Sequence, residues 1–148
     1  MDAVDRKILN ILQRNFPLVA EPFKAVAEKV GISEDGVLLR IKRMKQDGII
    51  RRIGAVFDSR KLGFVSTLCA ATVPDDQLKA FVEVVSACPG VTHNYRRHHE
   101  YNVWFTFIAP SEDDLKKNLA EIRNRTGIVN ILDMRAFRTF KIDASFEL

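Results

Sequence analysis

Histidine is scarce in this chain. There are three in 148 residues, and all three lie in one seven-residue window, at His93, His98 and His99. Cysteine is scarcer still. Cys69 and Cys88 stand apart in apolar surroundings with no CxxC pair, and they read as reduced core thiols of a cytosolic protein. HExxH, GxGxxG and Walker patterns are absent, which removes the usual zinc and nucleotide signatures. No apolar run reaches the ~18 residues a membrane helix needs. The N-terminus, MDAVDRKILNILQR, is charged from its second residue, unlike a signal peptide. No membrane partner and a cytoplasmic location are therefore expected. There is no low-complexity tract and no long linker, and the length suits one compact unit or two small ones.

What the chain does contain is the balance of a folded protein, 47% hydrophobic and 28% charged. Its net charge of +4 is unevenly spread. From Arg40 to Lys61, eight Lys and Arg face only Asp47 and Asp58. Such a local excess favours an anionic partner, either nucleic acid or a polycarboxylate or phosphate ligand.

The first half reads as three short helices. Residues 3–14 place Val4, Ile8, Ile11 and Leu12 on one face, with Asp2 as N-cap. After Phe16-Pro17 and Glu21-Pro22, a helix over 23–30 ends at Gly31. Ser33 caps a third over 34–46, with Val37, Leu38, Ile41 and Met44 expected inward. "IIRRIGAVF" then alternates as a strand or wing, which completes a winged helix-turn-helix over residues 1–60. The second half, 61–148, changes rhythm: a strand over 64–73, a helix over 75–87, strands in "VTHNYRR" and "YNVWFTFIA", a helix in "EDDLKKNLAEIRNR" with acids first and bases last, and a final strand over 128–142. The order β-α-β-β-α-β is the ferredoxin-like split pattern, so the expected class is α+β.

Every histidine falls beside arginines, tyrosines and the only tryptophan, in "HNYRRHHEYNVWF". Strand alternation puts His93, Tyr95 and Arg97 on one face and Asn94 and Arg96 on the other. Beyond the turn, Tyr101 and Val103 share a face, and Asn102, Trp104 and Thr106 the opposite one. His98 and His99 are adjacent at the turn and cannot both approach one small metal, and no set of three or four ligands is present, so no protein-built metal site is expected. Either His93 or His99 remains a candidate axial ligand to a haem-type iron. Each member of the cluster also has a plainer reading: the aromatics as core or interface, His98 as a solvated turn residue, His93 as a hydrogen-bonded sheet histidine.

"ISEDGVLLRIKRMKQDGIIRRIGAVFDSRKLGF", followed by the β-α-β-β-α-β half, resembles the AsnC/Lrp regulators, a winged helix joined to a ferredoxin-like ligand-binding and dimerisation domain. "QRNFPLVAEPF", "GIIRRIGAVFDSRKLGF" and above all "HNYRRHHEYNVWFT" are similar to the siroheme decarboxylases that descend from that scaffold. The resemblance implies loss of carbon dioxide from the C12 and C18 acetate side chains of siroheme, giving 12,18-didecarboxysiroheme in alternative haem or haem d1 biosynthesis. It also implies a paralogous partner subunit or self-association.

The residue types agree with that chemistry. A histidine near neutral pKa can supply a proton, arginines can grip carboxylates, and aromatics can pack on a macrocycle. A pyrrole protonated at carbon is its own electron sink. No pyridoxal phosphate, thiamine or catalytic metal is therefore implied, and iron belongs to the substrate. On the motif, His99, His93, Arg97 and Tyr95 are the catalytic candidates, and Tyr101, Asn102, Trp104, Arg96 and His98 the substrate-binding ones. Arg135, Arg138 and Lys141 repeat at near-alternate spacing and can add anion contacts. The rivals are an AsnC/Lrp-type DNA-binding regulator responding to a small ligand or haem, and a haem sensor or carrier. Glu34 and Asp35 at the start of the third helix would meet phosphate at close range, which makes DNA a poor partner.

Overall fold

The computed structural model describes residues 1–142 and 145–148, and Asp143 and Ala144, within the expected second domain, lie outside the described residues. The chain forms two compact units. One comprises Met1–Val56 with Lys141–Leu148, and the other Phe57–Phe140. The second unit thus begins a few residues before the expected boundary, and the C-terminal residues cluster with the helices rather than with the sheet. Gln13 accounts for part of that return: its side chain donates to Phe146 O at 2.5 Å and accepts from Phe146 N at 3.0 Å, while Asn10 Nδ2 donates to Leu148 O at 3.0 Å.

The first unit holds α1 (Ala3–Arg14), α2 (Pro22–Val30) and α3 (Glu34–Gln46). Each start is written locally. Asp2 and Asp5 form a reciprocal capping box on α1, Pro22 opens α2, and Ser33 Oγ accepts from Gly36 N at 3.2 Å to cap α3. Gly31 ends α2 in the left-handed conformation, φ 80°. Ile8, Val26, Ala27, Val37, Ile41, Met44 and Ile50 make the core. Leu38, expected inward, is instead exposed: it follows Val37 by one residue and so points about 100° away from the Val37–Ile41–Met44 stripe.

One charged group enters this core. Asp5 has no exposed surface, and it accepts from Arg40 Nη1 at 2.8 Å and Arg43 Nη2 at 2.6 Å, while Arg40 also binds Asp2 at 2.7 Å. Burial works against its ionisation. The Asp2 backbone N–H and Arg40, with the charge of Arg43, nevertheless hold its carboxyl below the ordinary value. Two of the basic residues of α3 are thus engaged inside the unit.

The segment 49–57, expected as a strand or wing, is in no sheet among the described residues, and Val56 and Phe57 are largely exposed. It has strand alternation but no neighbouring strand to pair with, and Ile49 and Ile50 donate their backbone N–H groups to Met44 O at 2.9 and 3.0 Å instead.

The second unit runs β1 (Val65–Ala71), α4 (Leu78–Ser86), β2 (Val91–Arg96), β3 (Val103–Ala109), α5 (Glu112–Thr126) and β4 (Ile131–Arg135). The sheet order is β2-β3-β1-β4 with every adjacent pair antiparallel, as the split βαβ pattern requires. Strand β3 shows the logic in its burial: Val103, Phe105, Phe107 and Ala109 are buried, and Trp104, Thr106 and Ile108 only half so. The buried set packs on Phe81 and Val85 of α4 and on Leu115, Leu119 and Ile122 of α5. Both helices therefore cover one face, and the other is left open. The last strand spans five residues instead of the expected 128–142; beyond Arg135 the chain leaves β1, and Phe137 and Phe140 are exposed.

Candidate active site

The open face of the sheet collects the expected cluster. Tyr95 pairs with Trp104, Trp104 with Ala70, and Ala70 with Leu132, forming one row across four strands. The next row is His93, Thr106, Leu68 and Met134. The ring centroids of His93 and Tyr95 are 6.0 Å apart with planes 25° from parallel. Arg97 closes the β2–β3 hairpin by donating its backbone N–H to Asn102 O at 2.8 Å, and its guanidinium lies 5.6 Å from the Trp104 ring centroid. The result is a flat, partly apolar platform with a cation at one end and an imidazole at the other.

The turn beside it is ordered from within. Trp104 Nε1 donates to Tyr101 O at 2.7 Å, and Tyr101 N donates to His99 Nδ1 at 3.1 Å. The His99 and Tyr101 rings lie 6.2 Å apart and 21° from parallel. Since Nδ1 accepts, the neutral His99 ring carries its proton on Nε2. His98 is exposed and makes no hydrogen bond or ring contact among the described residues.

Other candidates lie elsewhere or are already engaged. Arg96 turns to the helix-covered side and pairs with Asp75 at 2.8 Å. Asn102 spends its amide on the backbone, accepting from Val73 N at 2.9 Å and donating to Val73 O at 2.7 Å. Arg135 holds Glu112 through one nitrogen at 2.6 and 2.7 Å and Asp133 through Nε at 2.8 Å. Asp133 in turn accepts from Thr67 at 2.5 Å. Burial resists ionisation of Asp133, yet Arg135 and Thr67 bring its carboxyl below the ordinary value. Arg138 lies past the strand, stacked 4.9 Å from the Phe140 ring centroid. Lys141 is exposed and belongs to the helical unit.

Sequence reading placed Thr106 on the face of Trp104 but did not single out Leu68, Leu132 or Met134 as part of this platform. Their positions on it follow from the β1–β3 and β1–β4 registers, which no local pattern specifies. Among the described residues no three His, Cys, Asp or Glu side chains converge as metal ligands, and no helix is long and apolar enough to cross a membrane. Cys69 is buried on the helix side, where burial pushes its thiol up to about 12.

A helix-turn-helix joined to a four-stranded split βαβ sheet defines the AsnC-type class. Residues 61–141 match the AsnC-like ligand binding domain, and residues 5–51 match the siroheme decarboxylase NirDL-like HTH domain. The chain is 49% identical, over its whole length and 85% of the relative's, to the siroheme decarboxylase alpha subunit of Desulfovibrio desulfuricans. It is similar to the crystal structure of the siroheme decarboxylase NirDL at 40% identity and TM-score 0.72, covering 98% of this chain and 47% of that one. The NirDL structure in co-complex with an iron-uroporphyrin III analogue matches at 39% identity and TM-score 0.70, over 93% of this chain and 47% of that chain. This chain therefore spans about half the length of the NirDL chain. The chain belongs to the siroheme decarboxylase family.

Proposed function

We propose that this protein is a siroheme decarboxylase subunit, removing carbon dioxide from the C12 and C18 acetate side chains of siroheme to give 12,18-didecarboxysiroheme. The observation that carries the reading is the helix-free face on which His93, Tyr95, Arg97 and Trp104 stand together. A flat tetrapyrrole suits the platform of Trp104 and Tyr95. Arg97 can bind a peripheral carboxylate through paired hydrogen bonds. His93 and His99 are the acid candidates. In the reaction the bond between methylene and carboxyl carbon breaks, its electron pair passes into the pyrrole, carbon dioxide leaves, and a proton is delivered to carbon. The protein supplies the proton, anchors the remaining carboxylates and excludes water. Electrons need no other acceptor, because the pyrrole serves. Iron arrives with the substrate, and His93 or His99 could serve as its axial ligand.

The partner is a paralogous subunit or a second copy, and the location the cytoplasm. The DNA-binding alternative is weakened by Glu34 and Asp35 in the first turn of α3 and by the engagement of Arg40 and Arg43 with Asp2 and Asp5. Anaerobic incubation of the purified protein with siroheme, alone and with its paired subunit, should yield a product lighter by two carbon dioxide units. Unchanged siroheme in both incubations would sink the proposal.

A further inference from the structure

Strand β2 is irregular at one place. Val91 pairs with Phe107 and His93 with Thr106, so two steps along β2 match one along β3, and Thr92 is the extra residue of a β-bulge. An unbroken strand starting from an inward Val91 would turn His93 toward the helices and Asn94 toward the open face. The extra residue reverses both. Asn94 faces α4, donating to Ser86 Oγ at 3.2 Å, and His93 stands on the open face opposite Thr106.

The bulge has a second effect. Adjacent side chains of a regular strand lie on opposite faces and cannot meet. Here Thr92 Oγ1 is 3.0 Å from His93 Nδ1. The approach of the strands just before the bulge is close. A Cβ on Gly90 would stand 2.2 Å from Ile108 O and 2.3 Å from the Phe107 ring, and Gly90 O accepts from Ile108 N at 2.8 Å.

We infer that Thr92 is a positioning residue for His93: it engages Nδ1 and leaves Nε2 as the ring atom presented to the tetrapyrrole. The inference rests on the siroheme reading of the open face. A hydroxyl suits this task because it both donates and accepts. It donates to Nδ1 of the neutral ring whose proton is on Nε2. It accepts from Nδ1–H of the imidazolium, or of a ring whose Nε2 holds iron. The ring orientation thereby survives a change of charge. Stacking on Tyr95 restrains the plane of the imidazole, and the Thr92 hydroxyl restrains its rotation within that plane.

The test compares Thr92→Val, which keeps the shape and loses the hydroxyl, with Thr92→Ser, which keeps the hydroxyl. Both are made in the full chain and assayed with its paired subunit. With siroheme, Thr92→Val should lose about tenfold in kcat with KM within about twofold, and Thr92→Ser should keep at least about half the wild-type rate. Nitrogen-15 NMR of the imidazoles, readily assigned with three histidines, gives a second measurement without substrate. The His93 ring-nitrogen shifts should be alike in the wild type and in Thr92→Ser, and displaced in Thr92→Val, where Nδ1 has lost its partner. Wild-type kcat in Thr92→Val, failure of serine to rescue, or a His93 spectrum indifferent to the valine would each overturn the inference. A wild-type protein inert toward siroheme, with a His93 spectrum that still responds to Thr92→Val, overturns the functional reading instead and leaves the Thr92 contact standing.

Discussion

Arg97 holds its guanidinium 5.6 Å from the centroid of the Trp104 ring, across the mouth of the hairpin that carries the cluster. The stack keeps the cation at the edge of the platform without tying it to a carboxylate. That distinguishes it from Arg96 and Arg135, whose charges are matched by Asp75 and by Glu112 with Asp133.

Replacing Arg97 should therefore act on substrate and not on folding. Arg97→Ala should raise KM for siroheme tenfold or more, the loss of a charge-assisted contact of about 1.5–3 kcal/mol. Arg97→Lys should recover part of it, since the charge remains while the planar fork and much of the stack are lost. Steady-state kinetics beside a melting curve checks this, and a fall in melting temperature equal to that of a core variant would contradict it.

The Asp5 cluster makes an acid-sensitive element of the helical unit. Its folded pKa is depressed, so its contribution is complete above the unfolded value of 3.8 and is lost as pH falls through the lower folded one. Asp2 moves the same way, held to about 2 by the backbone N–H of Asp5 and by Arg40. Stability should fall steadily below about pH 4. Asp5→Asn should flatten that dependence, and Asp5→Ala should cost roughly 2–3 kcal/mol, under the range for a fully buried pair because both guanidinium groups keep contact with water. Urea titrations from about pH 2 to about pH 7, spanning the carboxylate range, would show it.

Gly90 is a site of close approach. Gly90→Ala forces a methyl group onto Ile108 O and the Phe107 ring, a clash that should cost about 3 kcal/mol, the upper part of the overpacking range. Because the bulge at Thr92 lies two residues on, the variant should also disturb His93. A melting temperature equal to wild type would show that the strands can separate there at little cost.

The two thiols should differ in reactivity. Burial pushes Cys69 up to about 12, and it also raises the partly exposed Cys88. Alkylation at neutral pH should modify Cys88 slowly and Cys69 only after denaturant is added, as mass spectrometry of tryptic peptides would reveal.

Much of the fold is legible in the sequence because helices carry their own punctuation. Asp2, Ser33 and Ser111 cap, and Gly31 terminates, within a residue or two of the observed limits. Strands carry less. Segment 49–57 alternates as well as a strand does, but alternation describes two faces and not the presence of a neighbour. The last strand stops short of residue 142 for the same reason: it pairs with β1 only as far as Thr67–Arg135, and Ser66 and Val65 pair with β3 alone among the described residues. The faces of β2 from His93 onward were readable from local spacing, and so was the company of His93, Tyr95 and Arg97. The engagement of Asn102 with Val73, and of Arg135 with Glu112, was not, because these contacts join residues 29 and 23 positions apart. The bulge is not legible in the sequence, because a single inserted residue leaves no mark of its own on composition.

Strand β3 assigns its side chains to two separate duties. Val103, Phe105, Phe107 and Ala109 lie among the helices, while Trp104, Thr106 and Ile108 look away from them. A change at an even-numbered position here leaves the interior untouched, and a change at an odd-numbered one leaves the open surface chemically as it was. Such a scaffold can exchange one chemistry for another at low risk to its folding, which gives a physical reason why one architecture can serve both gene regulators and enzymes.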